Sequence, residues 1–141
     1  MIYRWLSEYD KRKICSWEYE GPYSVYNLPK NYSFSAGSFY GFFLDSELIG
    51  YVNLKDAGDK VLIGIGLCPD LLGKGFGEKV LNASFSIASD DFPGKPLCLV
   101  VRKWNQRAVS CYRKVGFSQY GEPFEMNAPG GPDVFINMIK V

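Results

Sequence analysis

The run Gly64-Ile65-Gly66-Leu67-Cys68-Pro69-Asp70-Leu71-Leu72-Gly73-Lys74-Gly75-Phe76-Gly77-Glu78-Lys79-Val80-Leu81 restricts the fold more than any other stretch, because an apolar strand passes through a glycine-dense turn straight into a helix. Without a Cβ, the backbone at Gly73, Gly75 and Gly77 can adopt positive φ and lie close against a ligand. The first N–H groups of the helix that follows have no intrahelical acceptor, and the helix dipole makes that end positive. Lys74 adds to the potential, so the turn suits a pyrophosphate.

Spacing excludes two common phosphate loops. A P-loop needs Lys-Ser or Lys-Thr after its last glycine, whereas Lys74 is followed by Gly75. The dinucleotide pattern G-x-G-x-x-G would begin at Gly64 and Gly66, but Pro69 stands where its third glycine belongs.

A second block lies downstream. Leu97-Cys98-Leu99-Val100-Val101 is an apolar, partly β-branched run that reads as a buried strand. Arg102-Lys103-Trp104-Asn105 leads from it into a helical pattern over residues 106–115, which Gly116-Phe117 stops.

These two blocks resemble those of the GNAT superfamily of N-acetyltransferases. Leu72-Gly73-Lys74-Gly75-Phe76-Gly77, after Leu67-Cys68-Pro69, follows the acyl-CoA loop Arg/Gln-x-x-Gly-x-Gly/Ala. Asn105, Ala108, Tyr112, Gly116 and Phe117 fill every named position of Asn-x-x-Ala-x-x-x-Tyr-x-x-x-Gly-Phe. The match spans residues 64–117, and the first third of the chain agrees only in its order of strands and helices.

The resemblance implies a single α/β domain over residues 1–141, with a mixed central sheet of about six to seven strands flanked by helices and splayed between strands four and five. It implies acetyl-CoA as cosubstrate, its pantetheine arm along strand four at Ile65, Gly66, Leu67 and Cys68 and its pyrophosphate on the turn from Leu72 through Gly73, Lys74, Gly75 and Phe76 to Gly77. The backbone N–H groups of Leu67 and Cys68 are candidates for polarising the thioester carbonyl. Asn105 would orient the arm or cap its helix, and Tyr112 would protonate the leaving sulfur. Trp17, Glu18, Tyr23, Tyr26 and Trp104 fall where the family builds its acceptor pocket, with packing at the core edge as the alternative for Trp17, Tyr23 and Tyr26. Two departures stand out. Leu72 replaces the usual Arg or Gln, and Val100 occupies the position where ribosomal-protein N-terminal acetyltransferases carry a glutamate base.

The reaction expected is acetyl transfer to a primary amine of a small molecule or peptide by direct attack. A non-catalytic acyl-CoA-binding or sensor module is the alternative, and a protein-interaction domain that kept only the fold is a third class. The chain has no histidine, which removes Ser-His-Asp and Cys-His catalysis and leaves carboxylates, tyrosine, water and backbone. Glu18, Glu20, Asp45, Asp70, Asp91 and Glu125 are the carboxylates to inspect as a base. Four scattered cysteines suit reduced core thiols rather than a disulfide framework or a metal site, so no metal is expected. A net charge of +1 without a basic block argues against a nucleic-acid surface. No apolar run approaches a membrane span and Met1–Trp5 lacks a signal-peptide plan, so a cytoplasmic protein with no membrane partner is expected, homodimerisation being open.

Along the chain, Ser7-Glu8-Tyr9-Asp10 reads as a helix cap leading to about Trp17, and residues 18–29 as a loop or broken helix. Residues 39–44, 48–54 and 61–67 form a meander. A helix over 75–88, the strand 97–101, the helix 106–115 and closing strands near 117–120 and 134–140 complete the order.

Overall fold

The computed structural model describes residues 1–141. Seven strands form one mixed sheet in the order β1-β2-β3-β4-β5-β7-β6. They are β1 (Ile2–Trp5), β2 (Ser38–Leu44), β3 (Glu47–Asp56), β4 (Val61–Leu67), β5 (Leu97–Arg102), β6 (Ser118–Ala128) and β7 (Gly131–Lys140). All neighbours are antiparallel except β4 and β5, which run parallel because a helical crossover joins them.

Three α-helices accompany the sheet: α1 (Glu8–Cys15), α2 (Phe76–Asp91) and α3 (Gln106–Lys114). Helix α1 starts where the capping signal placed it, with the Ser7 hydroxyl accepting from Asp10 N–H and the Asp10 carboxylate accepting from Ser7 N–H. It ends at Cys15, two residues before the expected Trp17, and residues 21–26 form a 3-10 helix with Pro22 in its first turn. The strand β1 and the long β6–β7 hairpin were not legible at their full extent. Four residues are too few to display alternation, and β6 is exposed along nearly its whole length, so it has no buried face to betray it.

Helices α2 and α3 pack on one face of the sheet over the main core, whose fully buried members include Phe42, Val52, Leu54, Val61, Val80, Leu81, Val109 and Met138. Each such side chain contributes about 1.5–3 kcal/mol relative to exposure. A separate cluster of Ile14, Trp17, Phe43 and Leu48, with Tyr51 and Cys68 against it, seats α1. The sheet therefore carries a large core under α2 and α3, to which β4 and β5 contribute Val61, Ile63, Leu97, Leu99 and Val101, and a small one under α1 built on β2 and β3.

Candidate active site

Strands β4 and β5 pair only at Val61 with Leu97 and Leu62 with Cys98. Beyond those residues each keeps its outer neighbour alone, β4 with β3 as far as Leu67 and β5 with β7 as far as Arg102. The sheet is thus open along its middle. Cys68 N–H donates to Ile49 C=O at 2.9 Å, and backbone groups alternate sides along a strand, so Leu67 and Ile65 turn their N–H and C=O groups into the gap. Of the two amides expected to polarise a carbonyl there, Cys68 is committed to β3, which leaves Leu67.

The glycine turn closes one end of the gap. Gly73 and Gly75 adopt φ of 75° and 83°, and a Cβ at either would point into open space. Gly75 is the N-cap of α2, and no side chain caps that helix end. The N–H groups of Gly73, Lys74 and Gly75 have no backbone or side-chain acceptor, so with Phe76 and Gly77 they present a row of free donors. Gly77 is glycine for a different reason. A Cβ there would sit 3.2 Å from Leu67 Cδ1 and 3.3 Å from Cys111 Sγ, so the bare backbone lets α2 press against the tip of β4 and against α3.

On the opposite lip, α3 begins at Asn105. Its Oδ1 accepts from Ala108 N–H at 3.2 Å, and its Nδ2 donates to the Tyr26 hydroxyl at 3.0 Å. Two turns further, Tyr112 packs edge-on against Phe117 at 5.9 Å. Burial, then the neighbouring Cys111 and Tyr26, pushes the Tyr112 phenol well above its ordinary value. Its hydroxyl therefore stays protonated, and no group in the chain takes its hydrogen bond.

The sequence profile of the acetyltransferase (GNAT) family matches residues 2–117. The chain belongs to the GNAT acetyltransferase family. Among solved structures, a chimera of the Vibrio cholerae spermidine N-acetyltransferase SpeG and hSSAT superposes with a TM-score of 0.79 at 22% identity, covering 99% of this chain and 94% of that one. The ribosomal-protein-S18-alanine N-acetyltransferase of Escherichia coli gives 0.70 at 17%, covering 99% and 92%. AAC(6')-Ib in complex with paromomycin and acetyl-CoA gives 0.73 at 21%, again covering 99% and 92%. No curated relative matches the chain in sequence. At these identities the structures establish the GNAT fold, including the parallel β4–β5 step.

The remaining GNAT pocket candidates separate into two places. Trp17 is buried in the small core against Ile14, Phe43 and Leu48, the packing alternative of the two expected for it. Tyr23, Tyr26 and Trp104 come together beyond the end of β5, with Trp104 5.5 Å from Tyr23 and 6.2 Å from Tyr26. Glu18 is exposed and makes no ion pair, and Glu20, Asp45, Asp70 and Glu125 are exposed too. Asp91 accepts from the Tyr40 hydroxyl at 2.7 Å. Val100 is 46% exposed, on the face of β5 opposite to the buried Leu99 and Val101.

Sequence reasoning missed the ion pair that supports this aromatic group. Arg102 is buried, donates to Asp133 Oδ2 at 2.8 Å and to Pro129 C=O at 2.9 Å, and places its guanidinium 5.6 Å from the Tyr26 ring. Trp104 Nε1 donates to the same Asp133 oxygen at 2.7 Å. The Arg102 and Trp104 donors hold the Asp133 carboxyl below the usual carboxylate range. Arg102 follows directly on the apolar run of β5, which was the available signal that the strand end carries more than packing. No group of three side chains suited to a metal ion occurs, and no helix is long and apolar enough to cross a membrane.

Proposed function

We propose that the chain transfers the acetyl group of acetyl-CoA to a primary amine of a small molecule or peptide by direct attack. The observation that carries this reading is the parting of β4 and β5 beside the row of free N–H donors at the start of α2. When bound, acetyl-CoA supplies an acyl carbon on a thiolate leaving group with an ordinary pKa of about 8.5.

The residues of the chain do the rest. The N–H groups of Gly73, Lys74, Gly75, Phe76 and Gly77 hold the pyrophosphate, with Lys74 adding charge where Leu72 supplies none. Ile65 and Leu67 offer the arm an extended edge, and Leu67 N–H polarises the carbonyl. Asn105 spends its oxygen on the helix cap and one N–H on Tyr26, which leaves its second N–H for the arm. Tyr112 donates its phenolic proton to the departing sulfur as the N–C bond forms and the C–S bond breaks, and the proton shed by the newly bonded nitrogen returns to the phenolate by way of water. Burial keeps that proton in place until it is needed, and each pKa unit above the thiol makes the transfer harder by about 1.4 kcal/mol.

Tyr23, Tyr26 and Trp104 form the acceptor wall, with Glu18 the exposed carboxylate of the same segment as Tyr23 and Tyr26. The attacking amine must be neutral, which at pH 7 costs about 4.6 kcal/mol for a lysine-like amine and about 1.4 kcal/mol for an α-amine. Val100 cannot take a proton, so amines of lower pKa are the better acceptors.

Thiol release from acetyl-CoA in the presence of a panel of amines tests the proposal. Replacing Tyr112 with Phe is expected to lower kcat at least about 100-fold and leave acetyl-CoA affinity within about twofold. An unchanged kcat removes Tyr112 as the acid. Tight acetyl-CoA binding with no thiol release for any amine favours the non-catalytic binding module.

A further inference from the structure

The free edge of β4 already has an occupant from elsewhere in the chain. The Tyr19 hydroxyl donates to Leu67 C=O at 2.6 Å, across a separation of 48 residues. Cys68 N–H, on the same peptide unit, donates to Ile49 C=O at 2.9 Å, so this peptide is clamped at both ends. Tyr19 therefore supplies the bond that β5 would have given had it not turned away.

Tyr19 also belongs to a closed loop. Its own N–H donates to Asn27 Oδ1 at 2.7 Å, Tyr23 N–H to Glu20 C=O at 3.2 Å and Asn27 N–H to Ser24 C=O at 3.0 Å. At the far side of that loop the Tyr26 hydroxyl accepts from Asn105, at the start of α3. Residues 19–27 thus form a strap with one foot on the end of β4 and the other beyond the end of β5.

The geometry points to Tyr19 as a positioning residue for the acyl donor, one that holds the β4 edge extended and keeps Leu67 N–H aimed into the gap. The inference rests on the acetyltransferase reading given above. A carbonyl oxygen has two lone pairs, so Leu67 accepts from Tyr19 and from an amide of the incoming arm together. Burial, then the nearby Tyr51 and Cys68, pushes the Tyr19 phenol above its ordinary value, which keeps it a donor at any physiological pH. Tyr19 touches the backbone that binds the arm rather than the reacting atoms.

Tyr19→Phe keeps the ring and deletes only the hydroxyl. Calorimetric titration with two probes, acetyl-CoA and its nucleotide headgroup without the pantetheine arm (phosphoadenosine diphosphate), separates positioning from general damage. The expected result is acetyl-CoA binding weakened about tenfold, the effect of one lost hydrogen bond, with headgroup binding unchanged within about twofold. Equal weakening of both probes, or of neither, overturns the assignment. In the unsubstituted chain, a 13C-labelled Tyr19 ring signal should shift with acetyl-CoA and stay still with the headgroup; a signal that ignores acetyl-CoA also overturns it. A wild-type chain that binds the headgroup and acetyl-CoA normally while Tyr19→Phe behaves like it sinks only this inference, whereas a wild-type chain that binds neither sinks the acetyltransferase reading as well.

Discussion

The two lips of the open seam are built by different means. On the lip proposed for the acyl donor the geometry is made by backbone: positive-φ glycines at 73 and 75, a bare Gly77 against Leu67 and Cys111, and an uncapped helix start. On the lip proposed for the acceptor it is made by side chains that meet across long sequence distances, Tyr26 with Asn105, Trp104 with Asp133 and Arg102 with Asp133. A backbone device tolerates few residue types and so leaves a mark in the sequence. A side-chain device can be assembled from many combinations, and its members are recognisable only once the fold has brought them together.

The contrast makes α1 and the small core beneath it a control region. Trp17→Ala removes a buried ring from that cluster and should cost about 3–5 kcal/mol of stability, read as a lower denaturant midpoint. Acetyl-CoA affinity of the folded fraction should stay within about twofold. A large loss of affinity at unchanged stability would move Trp17 from the core to the site and erase the distinction.

A smaller effect separates the two duties of Asn105. Asn105→Ala removes the helix cap and should lower stability by about 1 kcal/mol. Asn105→Asp keeps the capping oxygen but loses the donor to Tyr26, so thermal melting should recover while acetyl-CoA binding remains weakened. Recovery of both would confine Asn105 to capping.

The smallest effect is electrostatic. The Asp133 carboxyl is held low by Arg102 and Trp104, and at Asp10 the bonds from Arg4 and Ser7 outweigh a burial effect that pushes the other way. A carboxyl whose pKa is depressed by folding adds stability above its usual value of 3.8, and that contribution is lost as pH falls through the folded value. Urea midpoints at about pH 6 and about pH 3 should therefore differ less in Asp133→Asn than in the wild type. An identical acid shift in both would show that Asp133 carries no linked charge.

The elements of the glycine-turn lip are legible in the sequence. The turn after β4, the helix α2, the strand β5 and the Asn105-to-Phe117 block all lie within one continuous stretch whose residue types the local geometry dictates. The parting of β4 and β5 entered only through the family resemblance, since nothing in either strand's own sequence says where pairing stops. Nothing in the sequence sets Tyr19 apart from its aromatic neighbours, because its partner is a backbone carbonyl 48 residues away, which no pattern of side chains announces. Arg102 and Asp133, 31 residues apart, were hidden in the same way. The expected pair of amides at Leu67 and Cys68 was halved by an ordinary ladder bond from Cys68 to Ile49, a matter of strand register that sequence does not fix.

The central claim is that the glycine turn and the open seam beside it hold an acyl-CoA, and titration of wild type and Gly75→Trp with acetyl-CoA tests it most directly. Gly75 has a φ of 83° with open space before it, so a tryptophan there strikes no packed neighbour but both fills the cradle and strains the turn out of its glycine-only conformation. The account predicts micromolar binding by the wild type and binding at least about 100-fold weaker in a variant whose circular dichroism is unchanged. Equal affinity in the two chains would contradict it, and so would a folded wild type that binds no acetyl-CoA.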